Sequence, residues 1–197
     1  EISACLVGSE MCIRDSHEMV RAVFLDRDGV INANVERDGR PVAPTKIEEF
    51  RFLPGVENAV RRLKAAGYAV IVCTNQPDVG TGRISRATLE AMHALVREKL
   101  KVEDVRACFH TDKDGCDCRK PKPGMLLAAA DEHGIDLAAS YMVGDRWRDV
   151  AAGRAAGCAT FFVDYGYQQD GPNEPDYVVA SLPEAVNIIL CGQADAR

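Results

Sequence analysis

The stretch that decides the fold is VFLDRDGVI, residues 23–31. An apolar run from Val23 to Leu25 is followed directly by two carboxylates, Asp26 and Asp28. This pattern predicts a short buried strand that ends by presenting two carboxylates two positions apart. Ligands bind at the carboxyl ends of the strands in an open α/β sheet. Such a pair can attack phosphorus, shuttle a proton and anchor a divalent cation, although an isolated pair is also compatible with a plain polar turn.

Outward from this stretch, strand and helix patterns alternate along the chain. The apolar strand candidates are 21–26, 68–74, 106–110, 140–144, 159–163 and 176–179, with helical patterns between them. The alternation predicts an α/β fold, a Rossmann-like three-layer sandwich with a mostly parallel central sheet. Residues 32–50 interrupt it and contain the hairpin signal Asp38-Gly39, so we expect a small flap there and no large cap domain. We expect the loop 164–176 at the edge of the same site.

The chain has 197 residues, enough for one compact domain with its own core. Residues 1–18 show no useful helical or strand periodicity, and they lack the features of a secretory signal. We expect them to be a non-native or disordered extension, with a natural flexible tail as the alternative. The folded domain is then expected to cover residues 19–197.

Composition narrows the classes of partner and the compartment. The formal net charge is -6 and no basic stripe is present, which argues against nucleic acid and anionic membranes as partners. No apolar run approaches the roughly 18 residues of a membrane span. Three of the eight cysteines lie within residues 108–118, and such clustering favours metal binding over a disulfide framework. We therefore expect a protein of the reducing cytoplasm.

The clustered cysteines form a candidate zinc site. The ligand set is Cys108, His110, Cys116 and Cys118. Three thiols and an imidazole suit tetrahedral Zn²⁺, and four protein ligands make a closed, structural site. The alternative is a set of unrelated core cysteines. A zinc ion here would fix the loop 109–118, which has few apolar residues of its own and is called the zinc loop below.

Two further segments carry candidate phosphate-binding groups. Arg119 and Lys120 follow the zinc loop directly, and both can neutralise phosphoryl charge, whereas Lys122 is more simply a solvated lysine. Thr74 ends the second strand candidate and can donate to a phosphoryl oxygen. Taken alone, that segment is better explained as a plain polar turn.

A second strand-end carboxylate stands in Met142-Val143-Gly144-Asp145. Asp145 suits Mg²⁺, which takes one or two carboxylates together with water and phosphate. Asp149 follows at a predicted helix start. It can orient metal-bound water, or it can simply favour the helix N-terminus.

These residues together resemble the haloacid dehalogenase-like phosphohydrolase superfamily. Its four marks stand here in order as Asp26-x-Asp28, Thr74, Lys120 and Gly144-Asp145-x3-Asp149. The resemblance covers about residues 20–190. The zinc loop joined to Cys118-Arg119-Lys120-Pro121 is similar to a narrow branch without a large cap, which holds heptose bisphosphate phosphatases and histidinol phosphatases.

The resemblance implies an Mg²⁺-dependent phosphate monoester hydrolase that works through an aspartyl-phosphate. It makes Asp26 the nucleophile and Asp28 the general acid and base, and it gives Thr74 and Lys120 the stabilisation of the phosphoryl group. It implies that Mg²⁺ is held by Asp26, the main-chain carbonyl of Asp28, and Asp145. The candidates for contacting the substrate are Asn75, Gln76, Arg119 and Arg146.

The implied substrate is a sugar bisphosphate, with removal of the 7-phosphate of D-glycero-D-manno-heptose 1,7-bisphosphate as the leading hypothesis. We expect a cytoplasmic monomer without nucleic-acid or membrane partners. Only five residues separate His110 from Cys116, as in the histidinol phosphatases, so histidinol phosphate or another small phosphate ester is the alternative. A catalytically idle, zinc-stabilised binding module is the other, and it predicts no loss of activity on Asp26→Asn.

Overall fold

The computed structural model describes residues 19–168, 171 and 174–192, so the prediction for residues 1–18 lies outside it. The strands are β1 (Ala22–Leu25), β2 (Val35–Arg37), β3 (Arg40–Val42), β4 (Ala69–Asn75), β5 (Asp104–Cys108), β6 (Tyr141–Gly144), β7 (Ala159–Val163) and β8 (Tyr177–Val179). The α-helices are α1 (Val56–Ala65), α2 (Pro77–Gly80), α3 (Arg86–Leu100), α4 (Gly124–His133), α5 (Trp147–Ala156) and α6 (Leu182–Cys191).

Six of the strands form one parallel sheet in the order β5-β4-β1-β6-β7-β8. The chain runs outward in one direction through β4 and β5, and then in the other direction through β6, β7 and β8. Strand β1 therefore lies beside the point at which the strand order reverses. The crevice outside such a point is where open α/β sheets bind ligands. The predicted mostly parallel sheet is confirmed.

Helices cover both faces of this sheet, which explains why β1 reads as a continuous apolar run. All four residues of β1 are fully buried. Val23 packs in one hydrophobic cluster with α1, α3 and α6, and Phe24 packs in the other with α4 and α5. Strands covered on both faces carry apolar side chains at every position. The three-layer sandwich predicted from the alternating pattern is confirmed.

Local signals in the sequence set several helix ends. The Ser85 hydroxyl accepts a hydrogen bond from the Thr88 amide at 3.0 Å and caps α3. Helix α5 ends at Gly157, whose φ of 89° lies in the left-handed region. The predicted strand 106–110 is displaced by two residues, since β5 runs from Asp104 to Cys108. There the polar pair Asp104 and Arg106 is tolerated on an edge strand, where the two side chains bond to each other at 2.8 Å.

A hairpin stands beside the carboxyl edge of the sheet where the sequence predicted a flap. Strands β2 and β3 pair antiparallel around Asp38 and Gly39, whose φ angles are 52° and 69°. Two positive φ angles in succession are what a tight two-residue hairpin turn requires. The segment after β1 thus carries a short hairpin rather than a separate cap domain. From the other side of the edge, the Tyr165 hydroxyl donates to the Gly29 carbonyl at 2.8 Å.

Among the described helices, none combines the length and the apolar character that crossing a membrane needs.

Candidate active site

A cavity of about 210 Å³ opens at the carboxyl ends of β1, β4 and β6. The parallel pairing of these three strands brings segments from distant parts of the chain to one edge. The predicted site residues that line it are Asp26, Asp28, Thr74, Asn75, Arg119, Lys120, Asp145, Arg146 and Asp149. Residues that line it without having been singled out in the sequence are Asn34, Ala43, Pro77 and Arg148.

The Lys120 ammonium forms the centre of a buried polar cluster. Its Nζ donates to Asp26 Oδ1 at 2.9 Å and to the Cys73 carbonyl at 2.7 Å, and it lies 2.5 Å from Asp149 Oδ1. The side chain is 2 % exposed. Burial alone would lower the pKa of Lys120, but the carboxylates of Asp149 and Asp26 outweigh burial and raise it. The amine therefore stays charged and lies directly beside the Asp26 carboxylate.

Asn75 holds the backbone that carries this lysine. Its amide nitrogen donates to the Lys120 carbonyl at 3.0 Å, and its amide oxygen accepts from the Lys120 amide at 3.1 Å. This reciprocal pair ties the end of β4 to the segment after the zinc loop. The position of the ammonium thus depends on β4 as well as on the loop that precedes Lys120.

Asp149 stabilises the helix start, which is one of the two roles that the sequence left open, and it also pairs with Lys120. Its Oδ2 accepts from the Arg146 amide at 3.0 Å, which closes the first turn of α5, while its Oδ1 pairs with Lys120. Because both oxygens already have partners, Asp149 positions the lysine and the helix start. It is less suited to bind a cation directly.

Asp145 is the carboxylate with an oxygen left over. Its Oδ2 accepts from Asn34 Nδ2 at 3.2 Å, whereas Oδ1 is buried and has no hydrogen-bond partner among the described residues. Carboxylate oxygens of Asp26, Asp145 and Asp149 all lie within 4.8 Å of one another. An oxygen-only donor set with an unpaired buried oxygen fits Mg²⁺, which prefers hard oxygen ligands.

The same crowding shifts the pKa values of two carboxyls. Burial, followed by the negative charge of Asp149, raises the pKa of Asp26 to about 6. Burial, followed by the charges of Asp26 and Asp149, raises the pKa of Asp145 well above its ordinary value. Two buried carboxylates side by side are each harder to ionise, and a bound divalent cation reverses this effect.

Asp28 is held by donors on both of its oxygens. Arg27 Nη2 lies 3.0 Å from Oδ1 and 3.0 Å from Oδ2, Asn32 Nδ2 donates to Oδ1 at 2.9 Å, and Gln76 Nε2 donates to Oδ2 at 2.7 Å. The Gln76 amide also donates to Thr74 Oγ1 at 2.9 Å. Gln76 is 3 % exposed and is not among the residues that line the cavity. It therefore contacts Asp28 and Thr74, whereas the sequence had suggested a contact with substrate.

The four candidate zinc ligands converge on one point. The Cys108 and Cys118 sulfurs lie 3.0 Å apart, Cys116 Sγ lies 3.7 Å from Cys108 Sγ, and His110 Nδ1 lies 3.4 Å from Cys118 Sγ. Around a tetrahedral zinc ion, thiolate sulfurs about 2.3 Å from the metal lie roughly 3.8 Å apart. The cluster is therefore close to the dimensions that zinc requires, and Arg119 and Lys120 follow its last ligand directly.

Three guanidinium groups surround the cavity mouth. Asp112, in the zinc loop, accepts from Arg119 Nε at 2.8 Å and from Arg148 Nη1 at 2.9 Å. Arg119 Nη1 is buried without a hydrogen-bond partner among the described residues. Arg146 donates to the Pro41 carbonyl of the hairpin at 3.2 Å. Arg146 Nε also lies 3.4 Å from Asp145 Oδ2, so the three guanidinium groups face two carboxylates and one positive charge is left over, suited to an anionic group.

Sequence reasoning did not single out Arg148 and Asn34, although both line the cavity. Arg148 lies in the first turn of α5 among several charged neighbours, and Asn34 lies in the predicted flap. Arg148 is one of the three unspecified positions of Gly144-Asp145-x3-Asp149, and Asn34 lies outside the motifs. The signal that could have found Arg148 is its position at the start of a helix that follows a strand-end carboxylate.

Comparisons with known proteins agree with this geometry. A family model described as HAD-hydrolase-like matches residues 117–185. D-glycero-beta-D-manno-heptose-1,7-bisphosphate 7-phosphatase of Pseudomonas aeruginosa is 41% identical over 149 residues, which cover 73% of this chain and 81% of that protein. The Escherichia coli K12 protein of the same name is 38% identical over 185 residues, covering 85% of this chain and 94% of that protein.

A solved structure is similar as well. The D,D-heptose 1,7-bisphosphate phosphatase of B. bronchiseptica, crystallised with magnesium and phosphate, superposes with a TM-score of 0.76 at 33% identity. The match covers 88% of this chain and 99% of that one. Sequence likeness over most of the chain, a shared fold and the strand-end carboxylates lead to the same conclusion: this chain belongs to the haloacid dehalogenase-like hydrolase family.

Proposed function

We propose that this chain is a phosphate monoester hydrolase that removes the 7-phosphate of D-glycero-β-D-manno-heptose 1,7-bisphosphate. The observation that carries the proposal is the Asp26 carboxylate, which lies 2.9 Å from the buried Lys120 ammonium and lines one cavity with Asp28 and Asp145. A nucleophile, a proton carrier and a fixed cation around one small cavity are what phosphoryl transfer requires. The relatives at 37 to 41% identity support the sugar bisphosphate as substrate.

In the first half of the reaction, an Asp26 carboxylate oxygen attacks the phosphorus and the bond from phosphorus to the sugar oxygen breaks. Asp28 gives its proton to that departing oxygen, so the sugar leaves as an alcohol. The Lys120 ammonium neutralises charge on the phosphoryl oxygens, and the Thr74 hydroxyl donates a hydrogen bond to one of them. The product on the protein is an aspartyl-phosphate at Asp26.

In the second half, the Asp28 carboxylate takes a proton from a water molecule, and the water oxygen attacks the phosphorus of the aspartyl-phosphate. The bond to the Asp26 oxygen breaks and phosphate is released. Asp28 is protonated again and Asp26 is again a free carboxylate, so both groups are ready for another cycle. Positioning and charge neutralisation supply most of the catalysis in reactions of this type.

Mg²⁺ would be held by Asp26, the main-chain carbonyl of Asp28, and Asp145, whose buried Oδ1 has no partner among the described residues. When bound, the cation neutralises charge on the phosphoryl group and on the crowded carboxylates. Asp149 contributes by holding Lys120 and the start of α5.

We also propose that Cys108, His110, Cys116 and Cys118 bind a structural Zn²⁺. The close approach of the three sulfurs and one imidazole nitrogen supports this, as does the absence of a disulfide among the described cysteines. Ligation by thiolates is compatible with a reducing compartment, and we place the protein in the cytoplasm.

The arginine rim favours the bisphosphate over histidinol phosphate. Arg119, Arg146 and Arg148 surround the cavity. Arg119 and Arg148 share the Asp112 carboxylate and Arg146 pairs with Asp145, so three positive charges face two carboxylates. A second phosphate on the substrate would be attracted to this rim, whereas the ammonium group of histidinol phosphate would be repelled by it.

The test is steady-state hydrolysis of three compounds with Mg²⁺, namely the heptose 1,7-bisphosphate, the heptose 7-phosphate and histidinol phosphate, with ³¹P NMR to identify the phosphate that is removed. We expect the bisphosphate to have a kcat/KM at least tenfold above the others, release of the 7-phosphate, and no turnover by Asp26→Asn. A preference for histidinol phosphate would refute the heptose assignment. Activity that survives Asp26→Asn would refute the mechanism.

A further inference from the structure

Arg27 stands between Asp26 and Asp28 in the sequence, and the proposed reaction gives its side chain no role. Arg27 is 0 % exposed and is among the largest fully buried side chains. In a regular strand, the Arg27 side chain would point to the face of the sheet opposite to the one that Asp26 and Asp28 face. Because residues 26–29 follow the end of β1, the Arg27 side chain instead approaches its neighbour Asp28, with Nη2 3.0 Å from each carboxylate oxygen.

Arg27 is in turn held by His93, a residue of α3 that lies 66 positions further along the chain. Arg27 Nη1 lies 3.2 Å from His93 Nε2, and His93 is 2 % exposed. A guanidinium can only donate, so His93 Nε2 must be the nitrogen that carries the lone pair. Burial, followed by the charge of Arg27, lowers the pKa of His93 to about 4, which keeps the ring neutral and able to accept.

The other ring nitrogen of His93 lies near a carboxylate of its own helix. His93 Nδ1, which then carries the hydrogen, lies 3.9 Å from Glu90 Oε2, on the same helix. The Phe50 ring lies 5.8 Å from the Arg27 guanidinium carbon on its remaining face. Arg27 is thus enclosed by an acceptor, an aromatic ring and the Asp28 carboxylate. A line of contacts joins the body of helix α3 to the cavity.

Asp28 lies at the end of this line, with a side chain that is 13 % exposed and lines the cavity. A group that must give a proton to a departing oxygen and later take one from water works only when its oxygens are held in place. We propose that His93 and Arg27 are positioning residues for Asp28: His93 fixes the guanidinium, and the guanidinium fixes the carboxylate that exchanges the proton. This inference rests on the role of Asp28 in the proposed function.

A positioning role differs from a merely structural one in how the effect depends on the leaving group. A sugar alcohol needs a proton in order to leave, whereas nitrophenolate leaves without one. If Asp28 is misplaced, formation of the aspartyl-phosphate from a sugar phosphate is slowed, but its formation from p-nitrophenyl phosphate is not. Hydrolysis of the intermediate, which needs Asp28 as a base, is slowed with either substrate.

The experiment compares His93→Phe, which removes the acceptor, with His93→Gln, whose amide oxygen can replace Nε2. Met92→Leu is the matched control, since Met92 is a fully buried apolar neighbour on the same helix. Rapid-quench mixing with p-nitrophenyl phosphate is expected to show a burst of one nitrophenolate per His93→Phe chain at the wild-type rate, followed by slow turnover. Turnover of the sugar phosphate is expected to fall roughly 10- to 100-fold.

We expect His93→Gln to recover most of this loss and Met92→Leu to leave both rates unchanged. Circular dichroism identifies folded variants, and His93→Leu, which also removes the acceptor, takes the place of His93→Phe if that variant does not fold. The proposal is overturned if the burst and the sugar turnover slow by the same factor, or if neither changes. Should the wild-type protein prefer another alkyl phosphate, only the proposed substrate fails, and that ester is used in the same comparison.

Discussion

The crowded carboxylates of the candidate active site predict that Asp26, the proposed nucleophile, makes the metal-free protein less stable. The perturbation is Asp26→Asn. Burial, followed by the charge of Asp149, raises the pKa of Asp26 to about 6 from an ordinary 3.8. A difference of roughly two units corresponds to about 3 kcal/mol, the cost of keeping Asp26 ionised in the folded state near neutral pH. Asparagine has nearly the same shape and carries no charge.

The sign follows from proton binding. Between pH 3.8 and about 6 the folded protein binds more protons at Asp26 than the unfolded chain does, so stability falls as the pH rises through this window. The cost is complete above the folded pKa and is about half as large near pH 5. In metal-free protein, Asp26→Asn should therefore raise the free energy of unfolding by up to roughly 3 kcal/mol near pH 7.5 and by about half of that near pH 5.

Thermal unfolding in a chelating buffer measures this effect. For a chain of this length, each kcal/mol moves Tm by about 2–4 °C, so the gain near pH 7.5 is roughly 6–12 °C at most. Adding Mg²⁺ is expected to reverse the order, because the cation stabilises the wild-type carboxylates and not the amide. Asp149→Asn is the matched control. Both Asp149 oxygens accept, one from Lys120 and the other from the Arg146 amide, and an asparagine can keep only one of these bonds, so Tm should fall at both pH values. An Asp26→Asn protein that is less stable than wild type, or whose gain does not vary with pH, would refute the reasoning.

Two further predictions concern Lys120 and the candidate zinc site. Lys120→Met leaves Asp26 and Asp149 without their shared cation, and it should cost about 3–5 kcal/mol of stability in urea unfolding as well as all activity. Wild-type stability in that variant would contradict the buried ion pairs. Metal analysis should find one zinc per chain, and Cys116→Ser should lose the zinc, lower Tm and reduce turnover, since Lys120 follows the zinc loop. Unchanged melting of the zinc-free protein would count against a structural role.

The central sheet and the strand-end carboxylates could be predicted from the sequence because their signals are local. Strand β1 is covered on both faces, and this forces an uninterrupted apolar run. The end of such a strand in a parallel sheet is a known position for ligands, so Asp26 and Asp145 could be placed at one edge before their separation was known. The hairpin turn at Asp38 and Gly39 followed from the same kind of local rule.

Side-chain directions beyond the strand ends could not be predicted, because they depend on partners far away in the chain. Nothing near Arg27 in the sequence shows that its guanidinium contacts both the neighbouring Asp28 carboxylate and His93 on α3. Asp112 is an ordinary loop carboxylate until the fold places Arg119 and Arg148 on either side of it. Pairs of this kind form only after the sheet has brought the segments together.

The distribution of partners among the four carboxylates separates their tasks. Asp26 and Asp149 share the Lys120 ammonium, and Asp28 is paired with the Arg27 guanidinium. Asp145 has Arg146 Nε at 3.4 Å on Oδ2, yet its buried Oδ1 has no partner among the described residues. A buried carboxylate oxygen without a donor is costly unless a cation completes it. In the proposed mechanism, this distribution of partners fits a metal on the side of Asp145 and proton exchange on the side of Asp28, with Asp26 between them.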